Sequence, residues 1–230
     1  MFGKLTDSFL LNFVKEERWK YITDGLIITL EVTFFAVIVG IFLGFLVAMV
    51  RSTYDKTGKL KVLNALCNLY LTVIRGTPVV VQLLITYFVI FGSVNIDKVL
   101  VAVIAFGINS GAYVAEIIRS GIMSVDNGQF EAGRSLGFSY FRTMLYIILP
   151  QALKNVLPAL ANEFIVLLKE TSVAGYIALQ DLTKAGDIIR SRTYDAFMPL
   201  IAVALIYLLM VMLFNYFVKQ LERRLRNSEH

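Results

Sequence analysis

The sequence predicts an all-α, polytopic membrane protein, and three observations carry that prediction. Several apolar runs reach ~20 residues, the length a helix needs to cross a bilayer. The mean hydropathy over 230 residues is +0.71, with 57% of residues apolar. No run shows the short alternating segments of a membrane barrel. Hydrocarbon offers no partner to backbone N–H and C=O groups, so runs of this length must satisfy them internally, as helices.

Residues 7–21 place Phe9, Leu10, Phe13 and Val14 at helical spacing with charges following, which predicts a short amphipathic helix on the membrane surface. The first span is read at about 25–50. Its Gly40 and Gly44 form a small-xxx-small pair suited to close helix contact, and Glu31 lies in its outer third. Residues 51–61 are polar and basic. The second span is read at about 60–92, broken near 75–78, because Arg75-Gly76-Thr77-Pro78 removes a donor and clashes with the preceding turn. Such breaks persist at membrane depth where they line a cavity. Residues 93–98 form a short turn, and a third span at about 98–119 sets Asn109, Tyr113 and Glu116 on one face. A polar loop at about 120–141 follows. The fourth span, about 142–168, contains Pro150, Pro158 and Glu163, with Asn162 beside it. Residues 171–194 are polar and long enough for a short surface helix. The fifth span is about 196–218, with the basic tail Lys219, Arg223, Arg224 and Arg226. The expected architecture is one transmembrane domain, 1–230, of five spans with an interfacial N-terminal helix.

Composition removes several classes of function. The net charge of +5 reflects Lys and Arg in loops facing lipid headgroups rather than a nucleic-acid surface. Cys67 stands alone in an apolar stretch and reads as a small core residue; the single His230 is the last residue and offers no metal site. No cleavable signal peptide is expected, since Lys15-Glu16-Glu17-Arg18 would interrupt its apolar core. No phosphate loop, metal-ligand spacing or nucleophile motif is present, so the chain is not expected to be an enzyme or to hold a cofactor.

The polar loop carries the most specific signal. Glu131-Ala132-Gly133 is followed three residues on by Gly137, then after nine residues by Ile147-x-Leu149-Pro150. This resembles the EAA loop, EAA-x3-G-x9-I-x-LP, of the membrane subunits of ABC importers, with Gly133 for the third small residue. Tyr70-x-Thr72-Val73-Ile74-Arg75-Gly76-Thr77-Pro78 with Gln82 is similar to the second span of polar amino acid permeases. Gly111-Ala112-Tyr113-x-Ala115-Glu116 is similar to their third, and Leu149-Pro150-Gln151-Ala152-Leu153, Asn162-Glu163-Phe164-Ile165 and Lys169-Glu170-Thr171-Ser172 to their fourth. The likeness covers about 60–175; the first and last spans match only in hydrophobicity.

The resemblance implies the type I importer fold and a permease subunit of the histidine/glutamine/arginine type. It implies a short cytoplasmic coupling helix in the loop, with Glu131, Ala132, Gly133, Gly137, Leu149 and Pro150 coupling to an ATPase. ATP and Mg would then be bound by that partner, in two copies, beside a second permease chain, identical or related, and an extracytoplasmic amino-acid-binding protein. The location is a bacterial cytoplasmic membrane. Placing 51–61, 119–154 and the tail inside puts twelve Lys and Arg there against nine outside, a small bias in the expected direction. The resemblance sets the N-terminus outside and the C-terminus in the cytoplasm.

A charge at bilayer depth costs roughly 2.5–3.5 kcal/mol even on the mild insertion scale. Arg75, Glu116 and Glu163 therefore pair with one another, reach water, or line a cavity for a zwitterionic amino acid. The last reading makes Glu163, Asn162, Arg75, Tyr113 and Glu116 candidate substrate contacts, with Asn109 adding a neutral hydrogen bond. Glu163 would meet a positive group; Arg75 would hold the carboxylate or brace the helix break, with both spans facing one cavity. The alternatives are an autonomous ion-coupled carrier or channel, and a membrane scaffold. Internal repeats would favour a carrier; intramembrane charges argue against a scaffold.

Overall fold

The computed structural model describes residues 2–227, so His230 lies outside the described residues. Among the described residues all regular structure is helical. The N-terminal helix α1, Phe2–Phe9, runs into a π-helical turn, Leu10–Val14, and stops at a 3-10 turn where Glu16 and Glu17 adopt left-handed φ of 56° and 52°. The expected single helix over 7–21 is therefore broken. Arg18 closes the corner by donating to Leu11 O (2.7 Å) and to Glu16 Oε2 (2.9 Å).

Helix α2, Trp19–Thr57, is longer at both ends than the expected 25–50. Nothing breaks it until Gly58, whose left-handed φ of 66° lets its N–H bond Tyr54 O. Helix α3, Lys61–Arg75, meets α4, Val79–Ile85, at a 106° bend, and a π-helical turn carries α4 on to Ile90. The sequence foretold a break; the turn exceeds a right angle. Only together are these two long enough to cross a membrane. Asp97 caps α5, Lys98–Met123, by accepting from Val99 N–H and Leu100 N–H.

Helix α5 is the axis of the molecule. A Cβ on Gly44 of α2 would stand 2.6 Å from Val114 Cγ1, and one on Gly107 of α5 would stand 2.7 Å from Val39 Cγ1. Small residues thus let the two backbones touch. One buried cluster, around Leu83, Phe106, Leu167 and Ile177, lies toward one end of α5; a second, around Ile118, Ile122, Ile148 and Val156, lies toward the other.

The loop after α5 folds into a short helix, α6, Asn127–Ser135, capped by Asp126. Tyr140–Thr143 (α7), a π-helical turn at Met144–Ile148 and α8, Leu149–Glu170, form one continuous rod extended by 3-10 turns to Ile177. The π-helical turn sits directly before Pro150, which cannot supply the helical N–H. Asp181 caps α9, Leu182–Thr193, which packs on the start of α2, where Gly25 leaves no room for a side chain against Asp181 O. Helix α10, Phe197–Asn227, leans on α8 through Phe164 and Phe214 and leaves most of its surface exposed. Asp195, in the turn before it, accepts from Ser8 Oγ and Asn12 Nδ2, tying the N-terminal helix to this end.

Four helical segments are long and apolar enough to cross a membrane: Trp19–Thr57, Lys98–Met123, Tyr140–Ile177 and Phe197–Leu225. The bent α3–α4 pair is the further one.

Candidate functional site

Asn68, Thr72 and Arg75 recur at i, i+4 and i+7 on α3, so the helix carries a polar stripe among its apolar residues. Tyr113 and Glu116 share a face of α5, and Arg51 reaches in from the end of α2. These side chains, with Leu71 and Gly76, line a cavity of about 510 Å³ beside the helix break. Glu116 is its hub. It pairs with Arg51, stands 3.9 Å from Arg75 Nη1, and lies 3.5 Å from Arg119 Nε one turn along its own helix. Arg119 also reaches Asp55 at 3.3 Å. The Arg75 guanidinium sits 5.7 Å from the Tyr113 ring centroid, a cation–π arrangement. Arg75 is 46% exposed and its pair is long, so this link is weak, worth about 0–1 kcal/mol. It holds the guanidinium without committing it.

Arg75, Tyr113 and Glu116, three of the candidate substrate contacts, therefore line one cavity. Glu163 and Asn162 do not join them. Glu163 is buried where α8 crosses α5, with Oε1 accepting from Ser110 Oγ at 2.9 Å. Ser110 and Glu116 are six residues apart on α5, which sets their side chains ~9 Å apart along the axis and ~120° around it. The cavity beside Arg75 is accordingly lined without Glu163 in this single chain. Asn162 turns back on its own helix, donating to Pro158 O at 3.1 Å. Asn109 donates to Gln82 Oε1 at 3.0 Å and does not line the cavity. Arg75 does not brace the break; Gln82 bonds those carbonyls. Arg51, Asn68 and Thr72 were not expected. The stripe at 68, 72 and 75 is visible as a helical period; Arg51 reads as an interfacial charge in sequence, and only the packing of α2 on α5 brings it to Glu116.

A second feature stands at the α6 end. Helix α6 closes with a Schellman arrangement: Gly137, at φ +78°, donates to Arg134 O, and Phe138 N–H donates to Gly133 O. Glu131 and Ala132 are exposed, and so are Leu136 and Phe141 beyond the cap. Asp126 caps this helix, and Glu131 is its fifth residue. Gly133 faces inward, where a Cβ would stand 2.6 Å from Thr143 Cγ2. That contact is the physical reason for glycine at the third position of the motif. Leu149 and Pro150 lie not on α6 but on the rod behind it. Phe130 of α6 stacks on Tyr140, and Lys56 of α2 covers Phe130 at 4.6 Å. The short helix is thus fastened to two spans. Among the described residues no group of His, Cys, Asp and Glu is placed to hold a metal.

Residues 40–227 match the family model described as binding-protein-dependent transport system inner membrane component. The chain is 39% identical over 207 residues to the putative glutamine transport system permease protein GlnP of Rickettsia typhi, covering 89% of this chain and 93% of that protein. It is 37% identical over 212 residues to the arginine transport system permease protein ArtQ of Bacillus subtilis, covering 91% and 94%. Among solved structures, an amino acid ABC transporter crystallised with histidines superposes with a TM-score of 0.83 at 45% identity, covering 92% of this chain and 98% of that one. The MetNI methionine ABC transporter, at 18% identity and a TM-score of 0.78, shares the fold. With the family model spanning most of the chain and relatives of this identity along nearly its full length, the chain belongs to the inner membrane components of binding-protein-dependent transport systems.

Proposed function

We propose that this permease subunit carries a polar or basic amino acid across a bacterial cytoplasmic membrane, driven by ATP that separate ATPase subunits bind with Mg and hydrolyse. The observation that carries the substrate class is the pairing of opposite charges on one cavity, Arg75 with Glu116, held loosely enough to be parted. A free amino acid presents a carboxylate and an ammonium, and both need compensation on leaving water. Arg75 takes the carboxylate, Glu116 the ammonium or a basic side chain, and the Tyr113 face packs on either. The names of the relatives, which include glutamine, arginine and cystine permeases, support this class. A contact with Glu163 and Asn162 is the second reading, and it requires Ser110 to release the Glu163 carboxylate as α8 moves.

Helix α6 is the coupling element. Glu131, Ala132 and the cap at Gly137 meet an ATPase groove, Gly133 seats the helix on the spans, and Leu149 and Pro150 pass its movement into α8. That role puts α6 and the C-terminus in the cytoplasm and the N-terminus outside. The complex holds two copies of this chain and two ATPases, fed by an extracytoplasmic amino-acid-binding protein. In proteoliposomes of that complex, uptake across a panel of labelled amino acids tests the reading. Arg75→Ala is expected to raise the half-saturation for the carried amino acid about tenfold, a loss of about 1.4 kcal/mol. Uptake that persists without ATPase subunits would establish the autonomous carrier instead.

A further inference from the structure

Pro78 has no N–H, so Ile74 C=O, four residues earlier, has no helical donor. Val81 N–H donates to Pro78 O (3.0 Å), so Thr77 C=O is left without its helical partner as well. A break in an apolar segment therefore exposes two carbonyls that are costly to leave unmade. One side chain reaches both. Gln82 Nε2 stands 2.7 Å from Ile74 O, 3.0 Å from Thr77 O and 2.8 Å from Thr77 Oγ1. The amide orientation is forced, because carbonyl oxygens only accept. Gln82 Oε1 consequently points the other way and accepts from Asn109 Nδ2 on α5 at 3.0 Å.

We propose that Gln82 is the positioning residue for Arg75 in transport. The Ile74 carbonyl belongs to the same peptide plane as the Arg75 nitrogen, so the Gln82 bond orients the backbone from which the guanidinium projects. The other end of the amide grips α5 at Asn109, four and seven residues before Tyr113 and Glu116, on their face of the helix. One side chain thus sets both walls of the cavity relative to each other, the α3 wall with Arg75 and the α5 wall with its partners. Asn109 is 3% exposed, and its Oδ1 is buried with no partner, so the link is held by this single bond. This inference rests on the cavity reading of the substrate site.

The test uses the full complex in proteoliposomes with labelled L-arginine, L-glutamine and L-cystine, comparing Gln82→Met, Arg75→Ala and the double variant. Methionine keeps the length of glutamine and removes both polar ends. Gln82→Met is expected to raise the half-saturation about tenfold, about 1.4 kcal/mol, with the maximal rate near wild type. The double variant is expected to be no worse than Arg75→Ala alone, because Gln82 acts through Arg75. Losses that multiply, or a lower maximal rate with unchanged half-saturation, would reduce Gln82 to a brace for the break and overturn the proposal. If Gln82→Met fails to assemble, Asn109→Ala carries the same cycle, since it cuts only the tie to α5; additivity with Arg75→Ala overturns the proposal there too. Arg75→Ala without effect would remove the cavity reading itself, and this inference with it.

Discussion

Asp181 shows what a single buried charge does at the edge of the fold. It is 1% exposed, and burial raises its carboxyl to about 6 from the usual 3.8, against hydrogen bonds from the Lys184 and Thr183 backbone N–H groups. A carboxyl whose folded value is raised contributes stability that is full below 3.8 and is lost as pH rises through about 6. Above that range the folded protein carries a desolvated charge that the unfolded chain exposes to water. Asn at this position caps α9 equally well without the charge. Asp181→Asn is therefore expected to melt above wild type at about pH 8, with the difference narrowing as pH falls below about 6 and closing only below about pH 4. Thermal unfolding of the detergent-solubilised chain measures it, and a pH-independent difference would contradict the assignment. Glu116, unlike Asp181, has the guanidinium groups of Arg51, Arg75 and Arg119 within ion-pair reach.

At the scale of elements, α6 depends on two glycines for different reasons. Gly137 supplies a left-handed cap, and a side chain there costs roughly 1–2 kcal/mol. Gly133 supplies close approach to Thr143 and Ile147. Gly133→Ala, though it restores the commoner residue of the motif, is expected to loosen α6 from the rod and reduce ATPase retained on the purified chain. Thr143→Ala removes the obstructing Cγ2 and is expected to restore retention in the double variant. Co-purification of the ATPase reads both. Failure of the rescue would place the clash elsewhere. The bent α3–α4 pair depends on Gln82 in the way α6 depends on its cap, since each supplies partners to backbone groups that the chain's own turn leaves open.

At the scale of the molecule, the cavity beside the break cannot face hydrocarbon. Arg75 is 46% exposed in the single chain, and a guanidinium at bilayer depth needs water or protein around it. The α3–α4 side also leaves Val62 and Val89 about three-quarters uncovered, at 75% and 73%. A second copy packed on this side would enclose the route, whereas α10 is free to face lipid. In a Cys67→Ala background, Val89→Cys is expected to crosslink two copies within the complex, and Leu209→Cys on α10 is not. Crosslinking at Leu209 alone would put the two-fold axis on the opposite side.

Much of this protein was legible in its sequence. Apolar length located the membrane-crossing helices, Gly and Pro located the break, and the spacing from Glu131 to Pro150 carried the resemblance to importer permeases; these are local signals, set by what neighbouring residues can do in water or lipid. Helix ends were misplaced because a helix continues past the membrane until a residue such as Gly58 or the Glu16-Glu17 pair turns it, and hydropathy does not record that. The site divided in the same way. Arg75, Tyr113 and Glu116 stood out as charges and polar groups in apolar runs. Which carboxylate answers Arg75 was decided only by tertiary structure, because α3 packs on α5, where Tyr70 Oη donates to Ile108 O, and so brings Arg75 toward Glu116, while helix packing buries Glu163 against Ser110. Sequence spacing orders residues along one helix; pairing between helices follows from where glycines let the backbones meet.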